Sequence, residues 1–403
     1  MTGRGPPVVA PCHNPQVARV FISCGEPSGD LYAAALVDHL KALDPTLRVT
    51  GFGGERLRAA GATLIGDFHG LAVTGLVEAL RVLPRSLAMY RRLVRAAHAD
   101  RPDVCVAIDF PDFNFRLASA MRSMGVPVVY YIPPQAWAWR SGRLRTLARI
   151  ADRILVIFPF EPEIYRAAGT PVTFVGHPLV DLARATSSRE AFLAGVGFDP
   201  GKQTLGLLPG SRPNEVRQIL PTLVAALPEI ERRVAGLQVL VARAPGLSDA
   251  LFAPLSAAPG PVKIVEHRTD DVLASVDAAV TASGTATVQA AIHECPMVVV
   301  YRVAPLTYAL LRRFVHVNMI GMVNLVAGER VAPELIQDGF TPETVAGETV
   351  RLLTDGDLRR RTKAALGEVR ARLGGEGASR RAAEIVMEAA RSACQHSKAS
   401  HQS

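Results

Sequence analysis

The stretch Val17-Ala-Arg-Val-Phe-Ile-Ser-Cys-Gly-Glu-Pro-Ser-Gly-Asp-Leu-Tyr-Ala-Ala-Ala-Leu36 sets the architecture of the chain. Its first eight residues form an apolar, strand-like run that breaks at Gly25-Glu26-Pro27-Ser28-Gly29-Asp30. A helical pattern follows, with Leu36, Leu40 and Leu43 on one face. Strand, glycine-rich turn and helix make the opening unit of a parallel α/β sheet, where such turns usually greet phosphates. This turn instead carries two carboxylates, Glu26 and Asp30.

The same alternation continues almost to the end of the chain. In the first half, candidate strands are residues 17–24, 48–54, 103–110, 126–132 and 153–158, with helix-like stretches such as Leu31–Leu43 and Phe115–Met124 between them. Strands so uniformly apolar are buried on both faces, as in a parallel sheet covered by helices. The second half restarts the pattern with residues 204–210, 237–243, 262–267, 277–283 and 296–302. Two successive βα arrays predict an α/β protein of two doubly wound, Rossmann-like domains facing across a cleft. The Gly-His-Pro turn at 176–178 and the polar residues after it place the boundary near 181–188. The predicted division is 17–183 and 184–365, with helices over 366–394 packing back on the first domain. Residues 1–16 and 395–403 are expected to be disordered.

Bulk composition bounds the function. Of 403 residues, 49% are hydrophobic and 20% charged, which fits a globular chain with a substantial core. The net charge of +8 suits an anionic partner: nucleic acid, a phosphorylated metabolite or an anionic membrane surface. Five scattered cysteines (Cys12, Cys24, Cys105, Cys295, Cys394) without a C-x-x-C spacing argue against a disulfide framework or a zinc site. No run approaches the roughly 18 apolar residues of a membrane span, and no secretory h-region opens the chain, so a cytoplasmic location is expected.

Two elements of the second half have the form of phosphate sites. In Leu208-Pro-Gly-Ser-Arg212 a strand ends in a turn whose Gly210, Ser211 and Arg212 offer N–H groups and a guanidinium, before a helix beginning at Pro213. In Ala282-Ser-Gly-Thr-Ala286 a second strand meets a helix, where Ser283, Gly284 and Thr285 offer hydroxyls and a close backbone approach. Gln289, one turn on, could reach a ribose hydroxyl. The alternatives are an ordinary βα turn with a surface arginine, and a helix cap with tight helix–sheet packing. The only D-x-D, Asp355-Gly-Asp357, reads as a helix cap rather than a metal site, and no metal requirement and no cofactor are predicted.

The first half supplies the acids. Asp109 stands at the end of a buried strand, the ligand-facing edge of a parallel sheet, between apolar neighbours that suit a general base. Asp112 reads as a helix cap. Trp137 and Trp139, after two prolines, could stack on a sugar or pack in a rigid loop. Over residues 71–95, Arg81, Arg85, Arg91, Arg92 and Arg95 occupy about one third of a helical wheel opposite Leu83, Leu87, Tyr90, Leu93 and Val94. This is the pattern of a helix that docks on an anionic membrane surface, or of a core-facing helix with a solvated basic face. Pro84 interrupts it.

Taken in order, these motifs resemble the lipid-A-disaccharide synthase family of glycosyltransferases. The resemblance rests on Gly25-Glu-Pro-Ser-Gly-Asp30, Gly51-Phe-Gly-Gly54, Leu71-Ala-Val-Thr-Gly-Leu-Val-Glu78 and Ile108-Asp-Phe-Pro-Asp-Phe-Asn114. It continues through Pro134-Gln-Ala-Trp-Ala-Trp-Arg140, Phe158-Pro-Phe-Glu161, Phe174-Val-Gly-His-Pro178, Leu208-Pro-Gly-Ser-Arg212, Ala282-Ser-Gly-Thr-Ala286, Cys295-Pro-Met-Val-Val-Val-Tyr-Arg302 and Asn324-Leu-Val-Ala-Gly328.

The resemblance implies a B-type glycosyltransferase fold with the nucleotide on the second domain. It implies transfer from UDP-2,3-diacylglucosamine to 2,3-diacylglucosamine 1-phosphate, with inversion, release of UDP and no metal. Glu26 and Asp109 become the acid/base or sugar-orienting candidates, and Arg212 offsets charge on the departing UDP. Ser28, Asp30, Asn114, Trp137 and Trp139 become candidate sugar or acceptor contacts. Acylated substrates favour peripheral contact with the inner membrane through Arg85, Arg91 and Arg92.

One departure stands out: Gln289 replaces the family's usual glutamate, leaving the ribose one acceptor where a carboxylate gives two. A UDP-sugar 2-epimerase is the nearest rival, and a nucleic-acid-binding protein a more distant one. The oligomeric state, a homodimer included, is left open, as are acyl-chain length and the identity of the base.

Overall fold

The computed structural model describes residues 17–68, 76–134, 142–302 and 319–399. Two all-parallel sheets organise them. The first holds β1 (Arg19–Cys24), β2 (Arg48–Gly53), β3 (Thr63–Asp67), β4 (Val104–Ile108), β5 (Val128–Tyr131), β6 (Arg153–Val156) and β7 (Val172–Phe174) in the order β3-β2-β1-β4-β5-β6-β7. The second holds β8 (Thr204–Leu208), β9 (Gln238–Arg243), β10 (Val262–Glu266), β11 (Ala278–Ala282), β12 (Met297–Tyr301) and β13 (Glu334–Ile336) in the order β10-β9-β8-β11-β12-β13. Every residue of the central strands β4, β8 and β11 is buried, because helices cover both faces of each sheet.

In both sheets the winding reverses once, between β1 and β4 and between β8 and β11. At such a reversal adjacent helices diverge to opposite faces and leave a crevice at the carboxyl ends of the strands. Gly25-Glu26 and Asp109 follow the first pair of strands; Arg212 and Ser283-Gly284-Thr285 follow the second. The topology therefore selects the four sequence motifs as the residues around two crevices.

The segment joining the lobes is tied to the second one: the N–H groups of Thr186 and Ser187 donate to Asp271 Oδ1 at 2.7 and 3.0 Å. The helix Gly356–Arg372 packs on helices of the second lobe, and the chain crosses back only at Gly374–Gly377. Residues 366–372 thus belong with the second lobe, later than the expected start of the return at 366. The last helix, Ala378–Ala399, lies on the helix Pro27–Leu43 and on β4 and β5. Its start is fixed by Asp181, whose carboxylate accepts from the N–H groups of Gly377 and Ala378 at 2.9 to 3.2 Å. The helix runs through Gln395 to Ala399, where disorder was expected, because Gln, Lys and Ala extend a helix already nucleated by packing. Asp355 caps the helix Gly356–Arg372 by accepting from Leu358 N–H at 2.9 Å, as its sequence position suggests.

Candidate active site

Asp109 leaves β4 in a conformation that few side chains adopt. Its φ is +46° and that of Phe110 is +48°, two successive left-handed residues, each costing about 1–3 kcal/mol and persisting only where its surroundings enforce it. Asn114 enforces it. Fully buried, it receives the Ser23 hydroxyl on Oδ1 at 2.6 Å, and its Nδ2 donates to the carbonyls of Ser23, Ile108 and Asp109 at 3.2, 3.1 and 2.8 Å. Tyr130 Oη adds a second donor to the Asp109 carbonyl at 2.9 Å. The Phe110 ring lies directly on Gly25, where a Cβ would come within 2.2 Å of it. Glycine at 25 is thus required by the turn carrying Asp109, not by a phosphate.

This corrects the expectation for Asn114. Its amide is spent inside the protein, so it positions Asp109 and does not reach a sugar. Asp30 is corrected likewise. It is buried, and its carboxylate accepts from the N–H groups of Gly54, Arg56 and Leu57 at 2.7, 3.0 and 3.2 Å, closing the start of the helix Glu55–Ala59, a role worth about 0.5–2 kcal/mol. Asp112, expected to cap its own helix, is exposed and pairs with Arg143, whose guanidinium also lies over the Phe115 ring at 5.7 Å. Ser28, half-buried, stays in the first turn of the helix Pro27–Leu43 near Glu26.

The Asp109 carboxyl is pushed up to about 7, first by burial and then by the charge of Glu26. The N–H of Phe110 and the charge of Arg212 pull the other way. All four influences come from the two facing crevices. Glu26 has extended backbone ahead of its helix and makes no capping bond with its side chain, so the carboxylate is free to reach the other lobe. Arg212 Nη2 donates to both of its oxygens at 2.9 and 2.8 Å. With 40% and 30% of these side chains exposed, the pair contributes about 0–1 kcal/mol. It is not a stability element; it shows that Asp109, Glu26 and Arg212 share one cleft.

The β8 turn is built differently from the sequence expectation. The N–H groups of Ser211 and Arg212 are not open to an outside anion: both donate to Glu215 Oε2, at 2.9 and 3.3 Å, while Glu215 Oε1 accepts from Arg212 Nη1 at 3.2 Å. Gly210, with φ +121°, is the residue that admits this carboxylate, since a Cβ there would meet Glu215 Oε2 at 2.5 Å. Sequence reading passed over Glu215, although an acidic residue three after the helix N-cap was its available signal.

The β11 turn, in contrast, is open. Gly284 and Thr285 are exposed, and a Cβ at 284 would meet nothing within 4 Å. Ser283 is the exception: its N–H donates to Val300 O at 2.9 Å and its hydroxyl to Ile320 O at 3.4 Å, so the expectation that it offers both to phosphate is corrected. Gln289 Nε2 donates to Asp270 Oδ1 at 3.2 Å, and His293 Nε2 lies 2.9 Å from the same oxygen. This explains the amide: a glutamate at 289 would set its charge against Asp270, whereas glutamine donates to it.

Trp137 and Trp139 lie outside the described residues. Arg85, Arg91 and Arg92 are exposed on the helix Leu76–Ala99. Its apolar side does not all face the core as the wheel suggests. Leu93 is fully buried, whereas Leu83 and Leu87 are 49% and 39% exposed, so apolar and cationic side chains share the outer surface.

Two facing parallel α/β lobes, with acids on one side of the cleft and an arginine on the other, define the B-type class of glycosyltransferases and their relatives. Solved structures of that class overlay most of the chain. The UDP-GlcNAc 2-epimerase from Neisseria meningitidis does so with a TM-score of 0.61 at 11% identity, covering 92% of this chain and 98% of the other. MurG from Acinetobacter baumannii does so at 0.53 and 15%, covering 92% and 99%. The sequence narrows the class. The lipid-A-disaccharide synthetase family model matches residues 20–389. The lipid-A-disaccharide synthase of Geobacter sulfurreducens is 44% identical over 374 residues, 92% of this chain and 97% of that protein. The chain belongs to the lipid-A-disaccharide synthase family.

Proposed function

We infer how the cleft divides the work of the reaction that family membership assigns to the chain: condensation of UDP-2,3-diacylglucosamine with 2,3-diacylglucosamine 1-phosphate (lipid X) in lipid A biosynthesis. The acceptor's 6-hydroxyl attacks C1 of the donor sugar, its oxygen forms the new bond, and the bond from C1 to the UDP oxygen breaks. The hydroxyl proton passes to Asp109, whose raised pKa suits a base working near neutrality. Arg212 meets the charge that builds on the departing diphosphate. Glu26 keeps Asp109 basic by its charge and orients the sugar. Gly284 and Thr285 form the open turn for the phosphates, and Gln289 faces the ribose.

The observation that carries this reading is the contact of Arg212 with Glu26 across the lobes, beside Asp109. It is tested by following UDP release from UDP-2,3-diacylglucosamine with and without the lipid acceptor. Release that requires the acceptor and yields a disaccharide supports it. Release without acceptor, or epimerised UDP-sugar, rejects it.

Diacylated substrates reside in a bilayer, and among the described residues no helix is long and apolar enough to cross one. Exposed Leu83 and Leu87 beside Arg85, Arg91 and Arg92 support peripheral docking on an anionic membrane surface. Charge reversal of Arg85, Arg91 and Arg92 to glutamate is expected to abolish most sedimentation with phosphatidylglycerol vesicles. Turnover of detergent-dispersed substrate should persist. Undiminished sedimentation would remove this helix from the docking surface.

A further inference from the structure

The carboxylate of Glu215 fills the anion position of the β8 turn from inside the protein. Its Oε2 takes both turn N–H groups and its Oε1 takes Arg212 Nη1, leaving Nη2 pointing into the cleft at Glu26. We propose that Glu215 is a positioning residue for the donor site: it holds the turn closed and the Arg212 guanidinium aimed, so that the donor's diphosphate is met by the side chain and not by the turn.

Three observations support this. Gly210 carries φ +121° at a place where any Cβ would strike Glu215, so the turn is shaped around that carboxylate. A guanidinium held at Nη1 alone retains its Nη2 edge for a second anion, and Nη2 donates to both Glu26 oxygens. Burial opposes the Arg212 charge, yet Glu26 and Glu215 outweigh it and raise the guanidinium above its ordinary value. When a diphosphate arrives, Glu26 is the partner that yields, because it belongs to the other lobe. Glu215, three residues along the same helix, stays.

The inference rests on Arg212 being the diphosphate contact, and its test separates the two ideas. An amide at 215 has a single acceptor oxygen, so it can serve the turn or the guanidinium but not both. A carboxylate that only capped the helix would be replaced well by glutamine. Glu215→Gln and Glu215→Ala are each expected to weaken UDP binding by calorimetry about 10-fold and to lower kcat/KM for the UDP-sugar about 100-fold. Glu215→Gln should nevertheless melt near the wild type. Added to Arg212→Ala, Glu215→Gln should cause no further loss of UDP affinity. Recovery of UDP affinity and kcat/KM by Glu215→Gln, or an additive loss in the double variant, would overturn the positioning role. If Arg212→Ala alone bound UDP as the wild type does, the donor-site assignment would fall and this inference with it.

Discussion

An Asp109→Asn variant is expected to lose acceptor-dependent UDP release by about 100- to 10,000-fold while binding UDP as the wild type does. The amide keeps the size and the backbone setting, which Asn114, Tyr130 and Gly25 dictate, and removes only the ability to take a proton. The pH profile provides the sharper check. A base that ionises at about 7 is largely protonated below that value, so kcat/KM of the wild type should fall as the pH drops through 7. Residual activity of the variant should lack that limb.

Stability should move in the opposite sense. Below the ordinary value of 3.8 both folded and unfolded chains hold the Asp109 proton, and its contribution to stability is complete. As pH rises, the unfolded chain releases the proton first. The contribution therefore declines up to about 7 and stays lost above it. Asparagine never ionises, so the variant should melt at a higher temperature than the wild type at pH 8, with the difference shrinking toward pH 4. The free energy involved is on the order of a few kcal/mol. An unchanged pH–rate profile with no gain in stability would assign the proton to another group.

An Arg212→Ala variant is expected to lower kcat/KM by about 100- to 1,000-fold, the usual cost of removing one preorganised donor to developing charge. Its melting temperature should hardly change, since an ion pair this exposed contributes at most about 1 kcal/mol. The combination distinguishes catalysis from folding. A second effect follows from the electrostatics of the cleft. The Arg212 charge lowers the Asp109 pKa while Glu26 raises it, so loss of the guanidinium should shift the acid limb of the residual activity to higher pH. Arg212→Lys should recover little, because an ammonium is a point charge and cannot serve Glu215 and a diphosphate along two edges. Retained activity in either variant would mean that charge on the leaving group is met elsewhere.

How far the sequence carries can be judged strand by strand. Ten of the thirteen strands among the described residues coincide with apolar runs visible in the sequence. The three without such a run, β3, β7 and β13, all lie at sheet edges and are only partly buried. An edge strand is specified by the backbone partner beside it, so it needs no continuous apolar signal. The strand-end motifs were equally legible, since a parallel sheet forces its loops to the carboxyl edge. Their detailed use was not. Asp30 and Asn114 stand in the motifs beside Glu26 and Asp109, yet one closes a helix and the other holds a turn. Polar residue types announce that hydrogen bonds are needed without saying with whom.

By itself the sequence determined the two parallel lobes, their order along the chain and the acid and arginine that the cleft contains. Periodicity and glycine placement are local properties, and local properties survive in a linear record. Only the tertiary structure decided which carboxylate meets Arg212, that Glu215 fills the turn thought open to phosphate, and that Leu83 and Leu87 face outward. Each of those depends on groups brought together from distant positions or on which side of a helix is left uncovered, and the energies that choose among such pairings are set by distance and desolvation in the folded chain.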